Sequence, residues 1–303
     1  MVIRIHDKIG QKIIFLLLPV FIFASACSSA PKKPAEIFTD RIMAAGQLDL
    51  ANRTANQGRY EDALLIIEDA RRLATGADDS PLLVKTSIAR GNCLFSLGHH
   101  DEAFGDWEAA RKEADSSGEN DLSAMAQIYT ARGRLILLIN SGSKTGVEEI
   151  RDRVNVLTSS IKSDFLARAM GYLVLGMAEK ELGNYTGAEK WVRQALEIHE
   201  KNRYLEDAAY DWYFIASIFS VSRRYDEALA ALKSSIDFDR RAENGFGLAS
   251  GWQAMGEVYL KKKQPDDSAA AFRRAADIFM AIGLEDAAKK AEAKASAAGS
   301  SVN

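Results

Sequence analysis

The chain has 303 residues, enough for one or two ordinary domains, and a formal charge of −3. A mildly acidic chain without a long basic tract argues against nucleic acid as the main partner, because phosphate binding draws on clustered Lys and Arg. Only two prolines, Pro81 and Pro265, lie beyond residue 34, and Ala, Leu, Glu, Lys and Arg are abundant. This composition predicts long, uninterrupted helices.

The first 26 residues differ in character from the rest of the chain. Residues 1–12 are basic, and residues 13–24 form an almost wholly apolar run. That run is shorter than the roughly 20 residues that a membrane-spanning helix needs. Residues 1–26 are therefore predicted to be a secretory signal peptide, which is removed from the mature protein.

The small residues Ala24, Ser25 and Ala26 lead directly to Cys27. This run resembles the lipobox of bacterial lipoproteins, in which the cysteine receives a lipid and becomes the mature N-terminus, although Ala24 stands where that family prefers Leu. The resemblance implies that Cys27 anchors the protein in the bacterial cell envelope, and Ser28 is typical of sorting to the outer membrane, facing the periplasm. The alternative is an ordinary cleaved signal peptide, an unmodified Cys27 and a soluble exported protein.

Residues 27–40 are predicted to be the lipidated cysteine and a flexible tether, because residues 28–36 are rich in Ser, Pro and Lys. Only Cys93 remains once Cys27 is modified, so no disulfide is expected within the mature chain. Cys93 falls inside a predicted helix. We expect it to be a small buried side chain rather than a reactive thiol.

A period of about 40 residues runs through the sequence from about residue 44 to residue 280. Each unit contains a small residue, a helical stretch, a turn and a second helical stretch with small residues at fixed places. The third unit, residues 132–154, is less regular and has about two extra turn residues. The first small residue recurs at spacings of 40, 42, 43, 40 and 40, at Ala51, Gly91, Gly133, Gly176, Ala216 and Gly256.

These units resemble the tetratricopeptide repeat family, in a variant of about 40 residues with longer helices. The resemblance implies an all-α fold: a right-handed solenoid of six helix-turn-helix repeats over residues 41–296, with a capping helix at about 284–296 and a frayed tail at 297–303. One aromatic residue in each of four units is expected to pack between helices. These residues are Tyr129, Tyr172, Trp212 and Trp252.

The sequence contains no arrangement typical of a catalytic or metal site. His99 and His100 lie at a turn, His199 stands alone on a second helix, and no glycine-rich phosphate loop occurs. The regular spacing of the repeats leaves no room for a long catalytic insertion. We therefore predict that the protein is not an enzyme and uses no cofactor or metal.

The family register implies which first-helix side chains line the concave groove. One row holds Asn52, Asn92, Arg134, Met177, Ser217 and Glu257. A second row holds Leu48, Ile88, Thr130, Leu173, Tyr213 and Gln253. Asn52 and Asn92 resemble the start of an asparagine ladder that holds extended peptides, or they are two solvated polar residues. Chaperone-binding members need Lys where Leu48 stands, so that specificity is not expected.

Two further pairs of residues are unusual for their positions. Tyr210 and Tyr213 make the fifth unit rich in aromatic residues, which indicates either a peptide-binding hot spot or additional buried packing. Arg90 and Arg132 stand where the other units have an apolar residue. Each needs a partner, either an acidic residue on an adjacent helix or a bound anion.

Together these features predict a membrane-anchored envelope adaptor that binds a protein or peptide partner through the concave groove. The alternative is a lipoprotein that encloses a small ligand and is associated with a transporter. The candidate groove residues are Asn52, Asn92, Arg134, Tyr210 and Tyr213.

Overall fold

The computed structural model of the protein describes residues 38–300, which contain thirteen α-helices and no strand. Cys27 and the predicted signal peptide lie outside the described residues. Within the described range, no helix is both long and apolar enough to cross a bilayer. The helices are α1 (Thr39–Asn56), α2 (Tyr60–Gly76), α3 (Ser80–Ser96), α4 (His100–Ser117), α5 (Asn120–Asn140), α6 (Val147–Ser160), α7 (Phe165–Glu181), α8 (Tyr185–Asn202), α9 (Leu205–Val221), α10 (Tyr225–Ala242), α11 (Gly245–Lys261), α12 (Pro265–Ala281) and α13 (Glu285–Ser300).

Successive helices pack in pairs, from α1 with α2 to α11 with α12, and α13 packs against α12. This confirms the predicted all-α solenoid of six repeats followed by a C-terminal helix. The third repeat has the longest turn between its two helices, with Gly142 and Gly146 at positive φ, as its irregular sequence indicates. Helix α13 continues to Ser300, beyond residue 296.

Short polar signals begin and end the helices. The side chains of Asp79, Asp164 and Asn184 accept backbone N–H bonds at the starts of α3, α7 and α8, where the first helical N–H groups have no partner within the helix. The turn within a repeat requires a left-handed residue. Glycine fills it in the first, second and fourth repeats, whereas Arg223 (φ 62°) and Lys263 (φ 60°) fill it in the last two.

The small residues that open each unit mark close approaches between paired helices. A Cβ atom placed on Gly91 would lie 2.6 Å from Nε1 of Trp107, and one on Gly176 would lie 2.5 Å from Cγ2 of Val192. Both partners lie on the second helix of the same repeat and are fully buried. Glycine at these positions lets the helices approach closely enough to bury those side chains.

The first helices of the repeats lie on the inner side of the solenoid. Helix α1 contacts α3, α3 contacts α5, α5 contacts α7, and α9 contacts α11, whereas no comparable contact joins the second helices of successive repeats in residues 38–300. Inner elements of a curved stack follow a shorter arc, which brings them together. We call the surface formed by these first helices the inner groove.

The first repeat also meets the fifth and sixth repeats. The Asn56 amide donates a hydrogen bond to the Glu206 carboxylate at the start of α9. The ring of Phe246, on α11, lies 3.2 Å from where a Cβ atom on Gly58 would stand. The solenoid therefore curves back until its first turn touches α9 and α11, and this contact closes the inner groove on one side.

Candidate binding groove

The five candidate groove residues differ in exposure and in the contacts that they make. Tyr210 and Tyr213, one turn apart on α9, have stacked rings with centroids 6.5 Å apart. Tyr210 is 42% exposed and Tyr213 is partly buried. Asn52 and Arg134 are exposed and form no hydrogen bond or ion pair with any described residue. Asn92 is half-buried. The two tyrosines are therefore accessible in part, and their rings pack against each other.

Polar side chains from three helices act on the hydroxyl of Tyr129. Asn92 of α3 lies within hydrogen-bonding reach of the Tyr129 hydroxyl on α5, and the charges of Arg132 and Asp207 act on the same hydroxyl. Burial raises the pKa of Tyr129. We call these four residues the polar cluster. Asp207 belongs to α9, two repeats further along the chain than α5.

Two buried atoms of the polar cluster have no hydrogen-bond partner among the described residues. They are Oδ1 of Asn92, an acceptor, and Nε of Arg132, a donor. Buried polar atoms are nearly always paired in folded proteins, because an unpaired one has lost water without replacement. The cluster therefore holds unused capacity for both kinds of hydrogen bond.

The two unusual arginines differ in their partners. Arg90 donates two hydrogen bonds of 2.8 Å to Asp106 on α4 and lies 3.0 Å from Glu68 on α2, so the prediction of acidic partners on adjacent helices is confirmed. For Arg132 that prediction is wrong, because no described carboxylate lies within ion-pair distance. The place that Asp106 takes in α4 is taken by the partly buried Ile150 in α6.

Sequence reasoning missed a buried pair between two repeats. His199 of α8 was expected to stand alone, but its Nδ1 lies 2.6 Å from Oδ2 of Asp211 on α9, and both side chains are buried. Burial raises the pKa of Asp211 to about 6 despite this hydrogen bond. Burial also opposes the charge on His199, but the bond to Asp211 outweighs it and raises the pKa of His199. No motif signals this pair, because its residues lie on separate helices.

A pocket of about 130 Å³ opens between α9 and α11. Its lining combines apolar side chains with hydroxyls and charges, and it includes Tyr213, Ser217, Ser220, Glu257, Val258 and Lys261. Tyr213, Ser217 and Glu257 belong to the two rows that the repeat register places along the groove. Sequence reasoning missed the other three, because their positions follow from how α9 and α11 pack against each other.

Cys93 and His100, two residues of reactive type, are both packed against other side chains. Cys93 is 2% exposed and burial raises the pKa of its thiol to about 11, which confirms the expected buried side chain. His100 packs against Phe95 with ring centroids 4.6 Å apart. In residues 38–300 no cluster of three or more His, Cys, Asp or Glu side chains is suited to hold a metal ion. The absence of enzymatic activity stays a prediction.

Comparison with known proteins supports the repeat assignment. A tetratricopeptide repeat model matches residues 168–202, which span α7 and α8 of the fourth repeat. No curated protein matches the chain in sequence.

Three solved structures share the fold at low sequence identity. A Rap protein complexed with competence and sporulation factor is 14% identical, with a TM-score of 0.52, covering 82% of this chain and 68% of that one. The apo form of RapI is 13% identical, with a TM-score of 0.53, covering 85% and 72%. A chain of the APC/C hetero-tetramer Cut9–Hcn1 is 15% identical, with a TM-score of 0.53, covering 93% of this chain but 46% of that chain. At such identities the similarity establishes the fold alone.

Proposed function

We propose that the protein is an adaptor that binds a protein or peptide partner in its inner groove. The observation that carries the proposal is the stacked, partly exposed pair Tyr210 and Tyr213 on the groove side of α9. Rigid aromatic side chains with a polar tip are enriched at the energetic centres of protein interfaces. Asp207, exposed one turn before Tyr210, adds a charge to the same face.

The polar cluster supports a polypeptide ligand in particular. An extended peptide presents backbone donors and acceptors side by side, and the cluster offers an unpaired acceptor on Asn92 and an unpaired donor on Arg132. The similar folds also support this proposal, because one was solved with competence and sporulation factor and another in the Cut9–Hcn1 hetero-tetramer.

In-cell photo-crosslinking tests the proposed partner site. A photo-reactive amino acid in place of Tyr210 is expected to trap a discrete polypeptide partner, and adding Tyr213→Ala is expected to weaken that product. The matched control places the same amino acid at Leu65, which is 72% exposed on the second helix of the first repeat. Identical products from both positions, or none from Tyr210, would refute groove binding.

We also propose that Cys27 anchors the protein to a membrane of the bacterial envelope, the outer membrane facing the periplasm, so that the groove lies a short tether from the bilayer. The pattern of residues 13–27 supports this location. Cys27→Ala is expected to move the protein from the detergent phase to the aqueous phase on phase separation, whereas Cys93→Ala is not. Retention of Cys27→Ala in the detergent phase would contradict the lipid anchor.

The pocket between α9 and α11 favours a second candidate function, in which the groove binds a small ligand and the protein serves a transporter. Its mixture of apolar walls and a few polar groups is typical of small-molecule sites. Binding of a metabolite without any crosslinked polypeptide would favour this function over the adaptor.

A further inference from the structure

Two lysines on first helices of repeats donate hydrogen bonds to serine hydroxyl groups and not to carboxylates. Nζ of Lys180, on α7, donates to Oγ of Ser217 at 3.0 Å, and Nζ of Lys261, on α11, donates to Oγ of Ser220 at 2.8 Å. Both serines lie on α9, between the two lysines in chain order. Neither ammonium forms an ion pair with a described residue.

The charge of Lys261 acts on the ammonium group of Lys180. Removal from water lowers the pKa of Lys180, the neighbouring Glu181 carboxylate opposes this shift, and the charge of Lys261 contributes a smaller lowering. The Phe214 ring, 5.0 Å from Nζ of Lys180, stabilises that charge in part. In residues 38–300 neither ammonium group has a carboxylate at ion-pair distance, so a bound anion would stabilise both charges.

The hydroxyls leave the lysines free to bind such an anion. Ser217 donates its own proton to the Phe214 carbonyl oxygen at 2.7 Å, so it meets Lys180 only as an acceptor. An ammonium has three N–H donors, and one hydrogen bond to a serine leaves two for another acceptor. The lysines can therefore keep their present contacts while an oxyanion binds.

The pocket between α9 and α11 lies beside these groups. Ser217, Ser220 and Lys261 form part of its wall, and apolar side chains including Leu232 and Val258 form the rest. Its volume of about 130 Å³ is close to the roughly 150 Å³ cavity that holds benzene in another protein, so it can take a branched aliphatic group or a small ring.

One acidic residue also lines the pocket, and its charge is balanced within the protein. Glu257 forms an ion pair of 2.8 Å with Lys294 on α13. Lys261 is therefore the charged side chain of the pocket wall that has no ion-pair partner among the described residues.

We propose that Lys180, Lys261 and this pocket form a binding site for an organic carboxylate, with the carboxylate at the lysines and an apolar group in the pocket. A small branched organic acid and the C-terminal residue of a peptide share this chemistry. This proposal rests on the proposed function, because the site lies in the inner groove, and it specifies that the ligand carries a carboxylate.

Ligand-detected NMR titrations of the purified mature-length protein, with Cys27→Ala for solubility, test the site. The probes are 4-methylpentanoate, N-acetyl-leucine, N-acetyl-leucinamide and inorganic phosphate. Saturable binding of at least one of the two carboxylates is expected, with no comparable binding of the amide, which lacks the negative charge. Binding of 4-methylpentanoate as tight as that of N-acetyl-leucine points to a small acid, whereas a clear preference for N-acetyl-leucine points to a peptide end.

Substitution of the lysines tests where the carboxylate binds. Lys180→Met and Lys261→Met are each expected to weaken binding about tenfold, which is the effect of one charge-assisted hydrogen bond. Lys233→Met, on the exposed side of α10, is the matched control and should leave binding unchanged. Circular dichroism and thermal melting verify that each variant is folded. Ala254→Phe, which fills the pocket, should abolish binding of the two carboxylate probes and retain any phosphate binding.

Three results would overturn the proposal: equal binding of the amide, unchanged binding in both lysine variants, or binding of phosphate alone. Because these titrations need no cellular partner, they can fail while the crosslinking at Tyr210 succeeds, and the reverse also holds. The two experiments thus separate failure of the carboxylate site from failure of the adaptor function.

Discussion

Arg90 and Arg132 show how the same residue at the same repeat position acquires opposite energetic roles. Arg90 is stabilised by Asp106 and Glu68, whereas Nε of Arg132 is buried without an acceptor. A paired buried charge is costly to break, but an unpaired polar group costs stability while it remains.

We expect Arg90→Met to lower the free energy of unfolding by about 1–3 kcal/mol, because it leaves the Asp106 carboxylate buried without its partner. Arg132→Met is expected to be neutral or stabilising. Urea denaturation of both variants provides the measurement, and each serves as the control for the other. Equal losses of stability would show that Arg132 has a stabilising partner after all.

Asp239 makes the free energy of unfolding depend on pH. This side chain is 3% exposed on α10, and burial raises its pKa from 3.8 to about 7, although the Asn244 amide donates to it at 2.8 Å. Glu206 contributes to the same upward shift. The folded state therefore binds this proton more tightly than the unfolded state does.

Because the folded pKa is the higher one, Asp239 lowers the free energy of unfolding as the pH rises from about 4 to about 7. Asp239→Asn is expected to remove this contribution, to leave the part of the decline that belongs to Asp211, and to raise stability at alkaline pH by about 1 kcal/mol or more. Thermal melts across pH measure the effect, with the exposed Asp277→Asn as control. If Asp239→Asn lost as much stability between about pH 4 and about pH 7 as the original protein, another titratable group would be responsible for that loss.

At the scale of elements, the pairing of helices followed from the repeat. Local steric constraints select glycine at several turns and small residues where paired helices cross. Because these constraints recur in every repeat, they produce a visible period in the sequence. The pocket and the His199–Asp211 pair did not follow, because each arises between helices of neighbouring repeats, where no fixed spacing operates.

Helix pairing predicts opposite effects for two glycine substitutions near each other in sequence. Gly91→Ala is expected to destabilise the protein by about 1–3 kcal/mol, because the new Cβ meets Trp107 and also lies 3.1 Å from the Ala103 carbonyl oxygen. Gly105→Ala, in α4, meets no atom within 4 Å and should stabilise by up to about 1 kcal/mol through helix propensity. Denaturation midpoints compare the two variants. A neutral Gly91→Ala would show that these helices can separate without cost.

At the scale of the whole molecule, closure of the solenoid depends on a small contact between the first repeat and α9 and α11. The Asn56 amide bonds to Glu206, and burial together with nearby Asp207 raises the pKa of that carboxyl, while Asn56 and Arg53 oppose the shift. The contact brings distant repeats together around the inner groove, so its stability decides how open the groove is.

Asn56→Asp is expected to open this contact at about pH 8, because a new carboxylate would face Glu206, and to allow closure again once the carboxyls are protonated in acid. Small-angle X-ray scattering should then show a larger radius of gyration at alkaline pH only. Asn52→Asp, one turn earlier on the exposed side of α1, is the matched control. An unchanged radius in Asn56→Asp would mean that the Phe246 contact with Gly58 suffices for closure.

The sequence by itself determined the architecture of this protein: all-helical, six repeats with a C-terminal helix, and a buried Cys93. These features depend on periodic local rules, in which each residue's role is set by neighbours a few positions away. Only the tertiary structure decided which groove residues come together, that Arg132 lacks the acidic partner expected for it, and that Lys180 and Lys261 bond to two serines that line one pocket. Their positions depend on the curvature of the solenoid, which sums small rotations between repeats and brings residues far apart in sequence into contact.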